Sequence, residues 1–412
     1  MKRREITLPL LLAVASSTLS RESEADSSDS LDLALDHLRN RRLRKWQTHP
    51  TDVLPASIAD MDFATAPEIN AALSRLQANE AYGYPARENA IADAFARRMQ
   101  KRFAWSSVVP HDVMPVINLD QAICAVILAF TDPGEGVIVQ VPAYGGFRAA
   151  VQETGRRFVA NEMRSSEAQW LLDLEHNATS LDISTRMLIF CNPHNPTGRV
   201  FTRRELDAVA SFAIRHNLIV LSDEIHQDFV FPGGAHIPLA SLGPEIADRT
   251  ITITSATKSF GIAGLRCGVV HFGSSRLKRI FLNRIPAVLL GTPSVTGIDA
   301  TVAGWDDGQA WLDRIVAKLQ RNRDWLLATL PEALPGAILY PPQGTYLAWI
   351  NCSQLNLRPS PAQFFLDRAR VALSAGSDFG EEYREFVRLN FATSAPILEE
   401  IVRRMSHAIM QR

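Results

Sequence analysis

Met187-Leu188-Ile189-Phe190-Cys191-Asn192-Pro193-His194-Asn195-Pro196-Thr197-Gly198 decides how this chain is read. Five apolar residues run without a break and then give way to a polar turn holding two prolines and a glycine. An apolar run of that length, closed by turn residues, is the pattern of a strand buried on both faces, as in a parallel sheet. Three further short runs, rich in Val and Ile, read the same way, at 137–141, 218–221 and 250–254. Helical spacing of apolar residues recurs at 66–79, 90–102 and 203–215. Thr202 precedes the last of these, with Glu205 three residues on, which predicts a capping box. Strands interleaved with helices predict an α/β chain with a mostly parallel sheet. Beyond a return segment at 288–294, a long helix is expected at 311–330 and strands at 345–350 and 386–391.

The bulk properties exclude several classes. Of 412 residues, 43 are Lys or Arg and 44 Asp or Glu, for a net charge of −1, which argues against a dedicated binder of nucleic acid or of membrane surfaces. The hydrophobic fraction of 46% and charged fraction of 21% suit a globular chain with a large core. Cys124, Cys191, Cys267 and Cys352 form no CxxC pair, against a disulfide scaffold or structural zinc. No apolar run reaches the roughly 18–20 residues that span a bilayer. Residues 1–30 resemble a secretory leader: Lys2, Arg3 and Arg4, then an apolar stretch at 6–15 with Ala13-Val14-Ala15, then an acidic, Ser-rich tail. Glu5, Pro9 and the lack of a disulfide pattern favour instead a disordered leader on a cytoplasmic protein. Arg39, Arg41, Arg42, Arg44 and Lys45 follow Leu31, Leu35 and Leu38 at helical spacing; a solvated helix face is the favoured reading and contact with an anion the alternative.

Ligands of open α/β sheets bind beyond the carboxyl ends of the strands. Tyr144 follows the run at 137–141, Asn195 the run at 187–191, Asp223 the run at 218–221, and Lys258 the run at 250–254. An aromatic ring, an amide, a carboxylate and a lysine therefore converge on one sheet edge. The set suits an aromatic, phosphorylated aldehyde, pyridoxal phosphate (PLP). Lys258 can form a Schiff base and move protons. Asp223 can hold the ring nitrogen protonated, and Asn195 can bond the ring oxygen. Tyr144 can stack on the ring, while Ser255, Thr257 and Arg266 suit phosphate oxygens. Histidines 194, 226 and 236 lack metal-ligand spacing, and Cys191 and Cys267 read as small packing residues.

Asn192 to Gly198 (NPHNPTG), Ser222 to His226 (SDEIH) and Ser255 to Arg266 (SATKSFGIAGLR) resemble fold-type I PLP enzymes of the class I/II aminotransferase superfamily. Lys45-Trp46, Ile58 to Phe63, Tyr82-Gly83-Tyr84, Asp228, His236-Ile237-Pro238 and Phe386 to Asn390 are similar to its cystathionine β-lyase-like C–S lyases. The resemblance runs from about Leu31 to the C-terminus. It implies a seven-stranded sheet sandwiched by helices plus a smaller α+β domain, divided as an arm at 31–80, a large PLP domain at 81–290 and a small domain at 291–412. It further implies a homodimer sharing active sites, with Tyr84 reaching the partner's phosphate, His226 among the cofactor contacts, Arg388 clamping the substrate carboxylate and Ala59 beside the substrate. One departure is Asn118, which stands where a glycine is usual. A left-handed turn there would aim the Leu119 and Asp120 N–H groups at the phosphate, while Asp120 would either cap the helix or repel the phosphate.

The leading expectation is β-elimination from an S-substituted L-cysteine to thiol, pyruvate and ammonia. The alternatives are an aminotransferase on the same scaffold and a PLP-binding regulator without turnover.

Overall fold

The computed structural model describes residues 31–85, 89–166, 169–175 and 182–412. The leader expectation falls on residues 1–30 and lies outside them. Seven strands form the central sheet: β1 (Val113–Val116), β2 (Gly136–Val141), β3 (Arg157–Glu162), β4 (Thr185–Cys191), β5 (Ile219–Asp223), β6 (Thr250–Thr254) and β7 (Gly268–Phe272). Their order is β1-β7-β6-β5-β4-β2-β3. β7 runs antiparallel to β1 and to β6, and the other neighbours are parallel.

The four runs quoted above are β2, β4, β5 and β6. In β4, Met187, Leu188, Ile189 and Phe190 are each at most 1% exposed, and each such side chain contributes about 1.5–3 kcal/mol when fully buried. Asp223 is the last residue of β5 rather than part of the turn after it. β1, β3 and β7 were not anticipated, because they are short or interrupted by polar residues. Helices Pro67–Ala78, Asn89–Phe103 and Arg203–Arg215 match the helical spacing, and Thr202 with Glu205 makes the reciprocal capping box.

A second, four-stranded antiparallel sheet contains Leu347–Asn351 and Phe386–Asn390, paired through Trp349 and Arg388. The expected long helix spans Gln309–Ala333. Among the described residues no helix is long and apolar enough to cross a membrane.

The basic cluster is corrected at one residue. Lys45 is 3% exposed and its Nζ lies 2.8 Å from Asp62 Oδ2. Trp46 Nε1 donates to Asp62 Oδ1 at 2.7 Å, so Lys45 and Trp46 are buried in the one-turn helix Arg44–Gln47. Nothing local in the sequence marks Lys45 as interior, because the carboxylate that neutralises it lies 17 residues away.

Candidate active site

A cavity of about 680 Å³ opens at the carboxyl edge of the sheet. Its wall includes Lys258, Asp223, Asn195, Tyr144, His226 and Arg388 from the sequence reading. Ser255, Thr257, Arg266, Asn118, Leu119, Asp120 and Ala59 line it as well.

Ser255 follows β6 and caps the one-turn helix Ala256–Ser259, its Oγ accepting from Thr257 N at 3.0 Å. That turn projects Lys258 into the cavity, where Nζ donates to the Ala59 carbonyl at 2.6 Å. Burial lowers the Lys258 pKa from its ordinary value, while the nearby Asp60 carboxylate opposes the shift. The turn is anchored from behind. Ser259 Oγ donates to Asp228, whose carboxylate is paired with buried Arg98. The Asp228 named in the sequence reading thus supports the Lys258 turn from outside the cavity.

Asp223 is 6% exposed, and burial pushes its pKa up to about 7 despite a bond from Ile225 N at 3.0 Å. A carboxyl so placed gains most from a cationic partner inside the cavity. Its strand end is braced by Glu224, which accepts from Ser222 Oγ at 2.9 Å and faces His236 Nε2 at 2.9 Å. His236 is therefore a structural partner of Glu224. His226 is held neutral, since burial lowers its pKa to about 3. Among the described residues no group of His, Cys, Asp and Glu is arranged to hold a metal.

Arg388 is 7% exposed, and Nη1 donates to Asn195 Oδ1 at 2.9 Å. Nη2 donates to the Ser57 carbonyl at 2.8 Å and to Ser374 Oγ at 3.1 Å. Burial brings its pKa down to about 10. A fork fixed on both sides is ready for a carboxylate.

The Asn118 expectation is corrected. Its φ of −157° and ψ of 163° are extended, not left-handed, and Oδ1 accepts from Gln121 N at 2.8 Å as the cap of the helix Leu119–Phe130. Extended backbone suits any residue, so glycine is not required. Asp120 does not cap the helix. It lines the cavity and takes a bond from Tyr144 Oη at 3.3 Å. Burial, reinforced by Asp120, pushes the Tyr144 pKa up to about 12. The first-turn N–H groups of such a helix have no intrahelical partner and favour an anion. Arg266, at φ 54° in the left-handed region, lines the cavity along with Ser255 and Thr257.

Tyr84 is not brought to the cavity. It is fully exposed and lines a separate surface hollow with Tyr82 and Pro85. Conversely, the sequence reading missed Asp60, Ser57, Ser374 and Tyr346, whose hydroxyl donates to Ala59 O at 3.1 Å. Their residue types are common and their neighbours carry no pattern. Only Ile58 to Phe63 offered a signal.

His226 Nδ1 and Arg388 Nε are buried at this wall with no hydrogen-bond partner among the described residues. A flat group with a phosphate at the helix N-terminus and a basic nitrogen toward Asp223 fits the donors and acceptors present. The family described as aminotransferase class I and II matches residues 51–405. The cystathionine beta-lyase PatB of Bacillus subtilis is 32% identical over 362 residues, covering 87% of this chain and 93% of its own. The arginine–pyruvate transaminase AruH of Pseudomonas aeruginosa is 30% identical over 358 residues, covering 86% and 89%. The crystal structure of cystalysin from Treponema denticola, which contains a pyridoxal 5′-phosphate cofactor, superposes with a TM-score of 0.86 at 26% identity, covering 90% of this chain and 97% of that one.

Proposed function

Because the chain belongs to the class I and II aminotransferase family, we propose that it binds PLP and removes the sulfur substituent from an S-substituted L-cysteine, giving a thiol, pyruvate and ammonia. The observation that carries this reading is that Lys258, with its lowered pKa, and the Arg388–Asn195 fork face one cavity. The relative named a cystathionine beta-lyase supports elimination as the outcome.

Asp223 would hold the pyridine nitrogen, Tyr144 the ring face, and Ser255, Thr257, Arg266 and the N-terminus of the Leu119–Phe130 helix the phosphate. Bound there, PLP supplies the electron sink for charge that develops at Cα. Arg388 holds the α-carboxylate, and Asn195 fixes the guanidinium plane. Lys258 then takes the proton from Cα, for which its amine must be neutral. Burial favours that form. The Cβ–S bond breaks with its electron pair on sulfur, and the proton held by Lys258 is available to that sulfur. Water supplies the keto oxygen of pyruvate as the nitrogen leaves as ammonia.

Transamination is the second reading, favoured by the likeness to AruH. Product analysis with L-cystathionine and S-methyl-L-cysteine, with no keto acid added, separates the two. We expect pyruvate and thiol to accumulate over many turnovers. A single turnover that leaves the amino group on the cofactor, with no thiol, would replace elimination by transamination.

A homodimer belongs to the same proposal, with Tyr84 of each subunit reaching the phosphate end of the other. Tyr84, Tyr82 (62% exposed), Val288 (86%) and Leu289 (65%) are apolar side chains facing solvent in the single chain, as an interface would require. Sedimentation should give a dimer, and Tyr84→Phe should weaken PLP retention. A fully active monomer would sink the shared site.

A further inference from the structure

Lys258, Arg388, Arg266 and Arg44 are cationic side chains lining the cavity. The first two are bonded within the wall, to Ala59 and to Asn195, Ser57 and Ser374. Arg266 stands with Ser255 and Thr257 on the phosphate side. Arg44 remains. Among the described residues its guanidinium makes no hydrogen bond or ion pair, and the exposed residue lines the cavity. Its backbone is nonetheless fixed. Lys45 and Trp46 are both buried against Asp62, Lys45 Nζ also donates to the Asp60 carbonyl at 3.0 Å, and Thr48 Oγ1 donates to the Arg44 carbonyl at 2.6 Å. Asp60 in turn neighbours Ala59, the residue that holds Lys258. Arg44 is thus presented from a rigid support tied to the reacting centre.

The carboxylates of the wall do not neutralise it. Asp120 accepts from Tyr144 and Asp223 from Ile225 N, and Asp378 forms no ion pair with Arg44. With the α-carboxylate on Arg388 and Cα at Lys258, the group on sulfur extends into the rest of the cavity. We propose that Arg44 selects that group, pairing with a carboxylate carried at the far end of the sulfur substituent. The inference rests on the elimination reading and names the substrate class it would take: cysteine thioethers with an acidic tail.

Three substrates of matched length test it: S-(2-carboxyethyl)-, S-propyl- and S-(2-aminoethyl)-L-cysteine. The holoenzyme should show the highest kcat/KM on the first. Arg44→Gln should lower that value about tenfold, the worth of one charge-assisted pair, and leave S-propyl-L-cysteine within about twofold. Arg44→Lys should restore part of the preference, and Arg44→Glu should turn it toward the aminoethyl substrate. An equal fall on all three substrates, or an acidic preference that survives Arg44→Gln, overturns the assignment. If no substrate gives pyruvate, elimination has failed on its own account. Dissociation constants read from the cofactor absorbance for the same three compounds then still decide Arg44.

Discussion

Lys258→Ala lowers pyruvate release by about 10⁴-fold, the upper range of what a positioned acid–base group contributes, while thermal unfolding stays close to the parent. The side chain makes one bond, to the Ala59 carbonyl, and Tyr346 Oη still occupies that carbonyl at 3.1 Å when the amine is gone. The fold therefore loses little, because the Ala256–Ser259 turn is held by Ser259 and Asp228. The same variant separates an enzyme from a PLP-binding regulator, whose partner binding would survive it. Turnover within tenfold of the parent would remove Lys258 from proton transfer.

The pH dependence carries a sign. The amine must be neutral to accept a proton, so kcat rises with pH through the Lys258 titration. Burial places that midpoint below the ordinary lysine value of 10.5. The Asp60 carboxylate opposes the shift, so Asp60→Asn moves the rising limb to still lower pH. A limb that moves upward, or not at all, would show that Asp60 does not act on Lys258.

Arg388→Ala is expected to lower kcat/KM by about 10²–10³-fold, since truncating one partner of a buried charge pair costs about 2–5 kcal/mol. The loss should fall on every substrate, whatever its sulfur substituent, because every substrate carries the α-carboxylate. Arg388→Lys should recover little: an ammonium cannot hold Asn195, Ser57 and Ser374 while presenting two parallel donors. Steady-state kinetics on S-methyl-L-cysteine with both variants is the measurement, and near-complete rescue by Lys would sink the two-point clamp. The contrast with Arg44 is internal, for Arg44→Gln should spare substrates with a neutral tail.

Much of this molecule is legible in local sequence. Buried parallel strands need side chains that tolerate burial on both faces, so β2, β4, β5 and β6 announce themselves as short runs rich in Val, Ile and Leu, with Gln140 in β2 and the threonines of β6 as the polar exceptions. The turns that follow them carry Tyr144, Asn195 and Lys258, and the last residue of β5 is Asp223. The parallel sheet and its loaded edge follow from residue order because each strand delivers its own terminal residue to the same rim. Helix Arg203–Arg215 was readable to the residue because its cap is written within four positions.

Tertiary structure decided the rest, through contacts between residues far apart in sequence. The antiparallel β7 has no local marker of direction. Asn118 stands where a left-handed glycine is usual, yet the chain around it is extended and its side chain caps the helix. Lys45 looked solvated until Asp62 was placed against it. Lys258 meets Ala59 across 199 positions and Arg388 meets Asn195 across 193. Spacing in a one-dimensional chain cannot encode such pairs, because they depend on how residues 57–60 and the second sheet meet the edge of the central one. The sequence alone named the chemistry of the edge, while packing determined which carbonyl, carboxylate and cation face it.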